Sequence, residues 1–190
     1  VSGTAEIHDA TLNPTKLELL AGWLPSQEWF VGDPDDLARV ASYRFVDPDG
    51  EVGIDTILVS SRGVTYQVPL TYRGEPLEEA KDSFIGTMEH SVLGTRYVYD
   101  AVGDPVYLVE LMRVIHEGDN EADLSRGEKS MTVLGSGIVP VSNAAGEMMR
   151  VVRVLDGHHV PGSRVPLGTL IGTWTDADGQ QQEQVLAVLR

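Results

Sequence analysis

The sequence predicts an α+β fold: a curved antiparallel β-sheet wrapped on one main α-helix. Three observations predict it. Residues 96–115 read as a strand, a tight turn and the best amphipathic helix in the chain. Segments that alternate apolar and polar residues, the mark of half-buried strands, lie on both sides of that helix. Turn chemistry such as Asp47-Pro-Asp-Gly50 separates them at hairpin spacing. A chain of 190 residues is long enough to bury a core without disulfides or metal, and one domain over 1–190 is the expectation.

The helix is the firmest element. Asp104 suits the N-cap, and Pro105 suits the first helical position, where a missing N–H costs nothing. Leu108, Leu111, Met112 and Ile115 recur at i, i+3, i+4, i+7 and so share one face. A shorter helix is expected over residues 15–22, opened by Asn13-Pro14 and ended by Gly22. Residues 23–33 follow as a loop punctuated by Pro25 and Gly32. They hold Trp23, Trp29 and Phe30, which either plug one end of the sheet or form an exposed platform.

Three strands come next, over 39–46, 51–59 and 64–72. The last alternates Val64, Tyr66, Val68, Leu70 and Tyr72 against Thr65, Gln67, Pro69 and Thr71. Pro69 cannot donate to a ladder, so an edge or a bulge is expected there. Residues 75–84 suit a helical turn and 87–92 a short strand. Residues 117–130 are poor in apolar groups and read as a mobile acidic loop. Four strands are then expected over 131–141, 148–155, 169–175 and 184–189. Asn143-Ala-Ala-Gly146 and Asp176-Ala-Asp-Gly179 offer hairpin turns.

Composition narrows the function classes. The formal net charge is −15, which disfavours nucleic acid and anionic membrane surfaces as partners. There are no cysteines, which removes disulfides, thiolate nucleophiles and Cys-ligated zinc. No apolar run reaches membrane-spanning length, and the first residues lack a signal layout, so a cytoplasmic location is expected. The chain lacks an initiating Met, as a trimmed chain would.

No catalytic signature appears. There is no G-x-x-x-x-G-K-[ST] loop, no G-x-G-x-x-G and no G-x-S-x-G elbow, so no catalytic residue and no cofactor are expected. His8, His90, His116, His158 and His159 are scattered, and adjacent His158 and His159 point apart in an extended chain. Metal binding is therefore not expected. Acidic pairs such as Glu78-Glu79 and Asp35-Asp36 single out no acid–base couple among 29 acids.

Several stretches together resemble the N-terminal cap domain of actinobacterial maltokinases and related sugar kinases. Leu24-Pro-Ser-Gln-Glu-Trp-Phe-Val-Gly-Asp33 looks like the opening of that cap. Tyr66-Gln-Val-Pro-Leu70 with Arg73 resembles one of its strands. Tyr99-Asp-Ala-Val-Gly-Asp-Pro105 with its helix resembles a third unit. The resemblance is clearest from about residue 17 to 115. It implies a cystatin-like fold, with the kinase lobes that hold ATP, magnesium and sugar lying beyond such a cap. Arg190 comes before any such lobe, so a non-catalytic cap-like protein standing alone is the expectation.

Family context implies a link to maltose, trehalose and α-glucan metabolism, with a sugar kinase or α-glucan enzyme as partner. Glu28 and Asp33 replace basic residues of the cap pattern. Gln27, Trp29, Phe30 and Gly32 remain, and the resemblance marks them as a partner- or ligand-facing edge. A sugar or metabolite held against Trp23, Trp29 or the concave sheet face is the alternative.

Overall fold

The structure is a computed structural model and describes residues 3–137, 148–157 and 166–190. In chain order the elements are β1 (Thr4–Ala5), β2 (Leu12–Asn13), α1 (Lys16–Trp23), β3 (Ala38–Val46), β4 (Gly53–Ser61), β5 (Val64–Arg73), β6 (Phe84–His90) and β7 (Gly94–Asp100). Then come α2 (Pro105–Glu117), β8 (Asp123–Leu124), β9 (Met131–Gly135), β10 (Met149–Val151), β11 (Val154–Leu155), β12 (Gly168–Thr175) and β13 (Gln181–Leu189). The fold is α+β and mostly antiparallel, as expected.

A seven-stranded sheet in the order β2-β6-β7-β5-β4-β3, with β11 added beside β5, curls into a half-barrel. A second, four-stranded sheet runs β10-β13-β12-β9, and β1 pairs in parallel with β8. The expectation of one sheet around one helix is therefore too simple. Helix α2 lies between the two sheets. Tyr107, Leu111, Val114 and Ile115 pack with Tyr43, Phe45 and Leu58 of the large sheet and with Met131, Leu170, Trp174 and Leu186 of the small one.

Two sheets flanking a helix explain a shift in its buried face. Asp104 caps α2 by accepting from the Val106 N–H at 3.0 Å, Pro105 takes the first turn, and Gly118 ends the helix at φ 64°. The sequence pattern places Leu108 and Met112 on the core stripe, yet both are only half-buried, whereas Tyr107 and Val114 are fully buried. A helix covered from two sides buries a wider arc than one apolar stripe marks.

The opposite face of the large sheet has its own core. Thr15 and Glu18 form a reciprocal capping box that starts α1, leaving Pro14 outside the helix. Leu20 and Leu24 pack with Ile57, Val59, Tyr66, Val68 and Leu70. Gly22 does not end α1, which runs to Trp23 and continues as a 3-10 turn, Leu24–Ser26. Because both faces of the sheet are covered, β4 is buried from Ile54 to Val59 without alternation.

Pro69 lies in a central strand, not at an edge. Strand β5 pairs with β4 along its length on one side. On the other side it meets β11 at Thr65 and Tyr66, then β7 from Leu70 to Arg73. Pro69 falls in the handover between those partners, where a missing N–H does least harm. The apolar run over 148–155 is likewise split: β10 joins β13 of the small sheet and β11 joins β5 of the large one. That crossing sews the sheets together.

Gln67 fastens the same seam. It is fully buried. Its Oε1 accepts from the Tyr43 hydroxyl at 3.1 Å, and its Nε2 donates to the Val152 and Leu186 carbonyls at 2.7 and 2.9 Å. Replacing Gln67 by Leu leaves a hydroxyl and two carbonyls without these partners. The Leu186 carbonyl keeps the Val152 N–H at 2.8 Å, so Gln67→Leu is expected to lose about 1–3 kcal/mol in urea unfolding, the cost of a buried polar group left unsatisfied.

The segment 117–130, expected as a mobile acidic loop, is built into the structure. Buried Glu121 accepts from the Val133 N–H at 2.7 Å and from Lys129 Nζ at 3.0 Å. Ser130 Oγ accepts from the Ser42 N–H at 2.8 Å, and the Ala122 N–H donates to the Arg44 carbonyl at 2.8 Å. These bonds lay the segment along the free side of β3. The expected turn at 143–146, the end of the strand over 131–141, and His158 with His159 lie outside the described residues.

Candidate functional site

The aromatic loop 23–33 folds over the outer end of β5. Its base is tied to the β4–β5 turn. The Asp33 N–H donates to Ser61 Oγ at 2.7 Å, Ser61 Oγ donates to the Asp33 carbonyl at 2.9 Å, and Arg62 donates to Asp33 Oδ2 at 2.8 Å. Gly32 is there because of close approach: a Cβ at that position would lie 2.7 Å from Ser61 Cβ. Asp33 thus carries its own cation, and its pKa is lowered chiefly by the Arg62 hydrogen bond.

Phe30 is buried, with its ring centroid 4.9 Å from that of Tyr66. Trp29 is half-buried. It stands 6.0 Å from Trp23 and 6.1 Å from Tyr66, and the Arg153 guanidinium lies 5.0 Å from its ring centre. Arg153 is itself fixed by Asp100, with one nitrogen 2.8 and 2.6 Å from the two carboxylate oxygens. Gln27 is half-buried and accepts the Phe30 N–H through its backbone carbonyl at 3.0 Å. The outward ridge of the loop is Pro25, Ser26, Glu28 and Val31, the last 73% exposed. The four residues singled out from sequence therefore lie together. Phe30 and Gly32 seat the loop, while Gln27 and Trp29 reach its surface.

The motifs that carry the resemblance converge in space. Thr71 and Arg73 of β5 reach Asp104: Thr71 Oγ1 at 2.8 Å, Arg73 Nε at 2.8 Å and Nη2 at 2.7 Å. Asp100 holds the cation above Trp29. Sequence reasoning missed Arg153 and Gln67 as members of this assembly, because their partners are distant along the chain and no local pattern marks them.

A cavity of about 400 Å³ opens at the mouth of the half-barrel. Leu12, Met88, Phe45 and Ile54 supply apolar wall, and Tyr72, His90 and Arg96 supply polar wall. His90 Nδ1 accepts from the Val92 and Leu93 N–H groups at 3.2 and 3.0 Å. Burial, then the neighbouring His8, Arg96 and Lys16, lowers the His90 pKa. His8 stands edge-on to it at 5.7 Å, a pairing the sequence did not indicate. Among the described residues no group of three or more His, Asp or Glu side chains is placed to hold a metal ion. Among them no helix is long and apolar enough to cross a membrane.

Fold and site together define an α+β protein with a helix between two antiparallel sheets and an aromatic loop clamped on one strand end. Residues 23–104, from the first tryptophan of that loop to the N-cap of α2, match the family model of the maltokinase N-terminal cap domain. The cap-like character read from the motifs is supported over that stretch. No curated protein matches the chain.

Proposed function

We propose that the chain is a single cap-like domain acting as a non-catalytic interaction or regulatory module. Its setting is maltose, trehalose or α-glucan metabolism, and its partner is a sugar kinase or an α-glucan enzyme. The observation that carries this reading is the match over residues 23–104, which begins at the aromatic loop. The physical state of that loop agrees with a docking role. Its base is fixed by Ser61 and Arg62, so presenting Glu28, Val31 and the free edge of Trp29 needs little further ordering on binding.

The test is a tagged pull-down from cytosol at low and moderate salt, with partners identified by mass spectrometry. Recovery of a sugar kinase or α-glucan enzyme is expected, with capture lowered at least about tenfold by Trp29→Ala and by Val31→Glu. Val31→Glu alters only an exposed side chain, which separates lost docking from lost folding. Capture of neither enzyme class, or capture indifferent to both variants, sinks the reading.

The half-barrel cavity favours a second reading, a small-ligand binding protein, because its volume lies in the range that suits such ligands, about 300–1,000 Å³. Titration with maltose and trehalose, followed at the amide signals of Met88 and His90, distinguishes it. Saturable shifts support it, and unchanged spectra dismiss it.

A further inference from the structure

We propose that a pocket between β3 and the segment 121–131 is a phosphoryl-binding site, taking inorganic phosphate or the phosphate of a small ester. The pocket has a volume of about 230 Å³, enough for a phosphoryl group and a short ester arm. Its wall is chemically unlike the rest of the chain. Acids outnumber bases 29 to 14 overall. Here Lys16, Arg39, Arg44, Arg126 and Lys129 converge, and among the described residues the acids lining the wall are Glu121 and Glu128.

Carboxylates nearby pair three of these five cations, Lys16, Arg44 and Lys129. Buried Glu121 and exposed Asp123 both hold Lys129, at 3.0 and 2.7 Å, and Glu121 also accepts from the Val133 amide. Asp55, behind the wall, must serve two cations at once, Lys16 and Arg44. Among the described residues Arg39 and Arg126 have no carboxylate partner in an ion pair. Two guanidinium groups thus stand at the pocket without a carboxylate of their own, Arg39 donating to Ser42 Oγ at 2.5 Å, within a protein whose net charge is −15. Burial lowers the Lys16 pKa foremost; Asp55 opposes, and repulsion from Arg44 and Arg39 adds to the lowering.

A phosphoryl group is the anion that fits. It carries more charge than a carboxylate, and its three oxygens accept from several donors at once. Guanidinium groups arriving from β3 and from residue 126 can bond it in charge-assisted pairs. The walls are held in place beforehand. Ser42 and Ser130 exchange hydrogen bonds at 2.8 and 3.2 Å, and Ala122 is bonded to Arg44. The site is separate from the aromatic loop, so its failure and failure of the docking reading are distinguishable.

The test is amide NMR of the full chain, titrated at constant ionic strength with inorganic phosphate and with glycerol 3-phosphate, using chloride as the control. Saturable shifts are expected at Ser42, Ala122 and Ser130. Arg39→Gln and Arg126→Gln are each expected to weaken binding about tenfold, the loss of one charge-assisted contact. Both side chains are exposed, and an otherwise unchanged spectrum verifies the fold. Tighter binding of glycerol 3-phosphate assigns the site to a phosphate ester; tighter binding of inorganic phosphate assigns it to the free ion. Shifts reproduced by chloride, shifts absent at those three amides, or affinity unchanged in both variants overturns the proposal.

Discussion

Asp104→Ala is expected to cost about 3–5 kcal/mol in urea unfolding, the range for stripping one partner from a buried ion pair. Asp104 is fully buried and performs three tasks with one carboxylate. It caps α2 through the Val106 amide, accepts from the Thr71 hydroxyl, and receives two parallel bonds from Arg73. Removing it leaves the Arg73 guanidinium without these partners and the helix without its cap. Asp104→Asn keeps one acceptor oxygen, enough for the Val106 cap, but turns an NH2 donor toward Thr71 and Arg73 and loses the charge, so it should fall between Ala and the parent. A loss below about 1 kcal/mol for Asp104→Ala, the size of an ordinary cap alone, would show that the pairing with Arg73 contributes little.

The same residue gives a pH signature. Burial alone would raise its pKa; the bonds from Arg73, Thr71 and Val106 outweigh that and leave it lowered from 3.8. A carboxylate whose folded pKa is depressed contributes its full stability above its unfolded pKa. That contribution is lost as pH falls through the folded value. The parent should therefore lose stability below about pH 3.8 more steeply than Asp104→Asn, which has no carboxylate to titrate there. Parallel acid-unfolding curves for the two proteins would contradict this.

How much of this was legible in the sequence depends on whether a partner is local. The α2 cap was legible because Asp104, Pro105 and the helix are adjacent. The second role of Asp104 was not, because Arg73 lies in another strand. Strands β3, β4 and β5 were legible from alternation and turns, but the cover on both faces of the sheet was not. The polar face of β5 reads as solvent-facing, yet Gln67 and Thr71 are fully buried, each satisfied by a specific bond across the core. Burial of polar groups depends on partners, and pattern alone does not supply them.

The acidic stretch over 117–130 misled for the same reason, since Glu121 is buried only because Lys129 and the Val133 amide meet it. At the candidate site the aromatic cluster was visible as composition. The cation over Trp29 and the basic pocket beside β3 are products of the fold. Arg39 and Arg126 become neighbours only when the segment after α2 is laid along β3.

Glycine supplies the second large effect, and its sign depends on place. Gly135→Ala is expected to destabilise by about 3 kcal/mol or more, the upper range for overpacking, because the obstacle is backbone. A Cβ at Gly135 would stand 2.0 Å from the Val114 carbonyl oxygen and 2.9 Å from Ile115 Cα. Helix α2 and the end of β9 are thus in direct backbone contact, and the Gly135 N–H donates to the Asp119 carbonyl at 2.8 Å. Neither side can yield without parting the helix from the small sheet. Gly22→Ala is the matched control. It lies inside α1 with nothing within 4 Å of the added methyl. There the same change should stabilise by about 0.5–1 kcal/mol, since Ala loses less backbone freedom in a helix. Opposite signs in urea melts would establish that the contact between α2 and β9, rather than glycine flexibility, sets the requirement at 135. Equal small effects at both sites would mean that β9 is free to move off the helix.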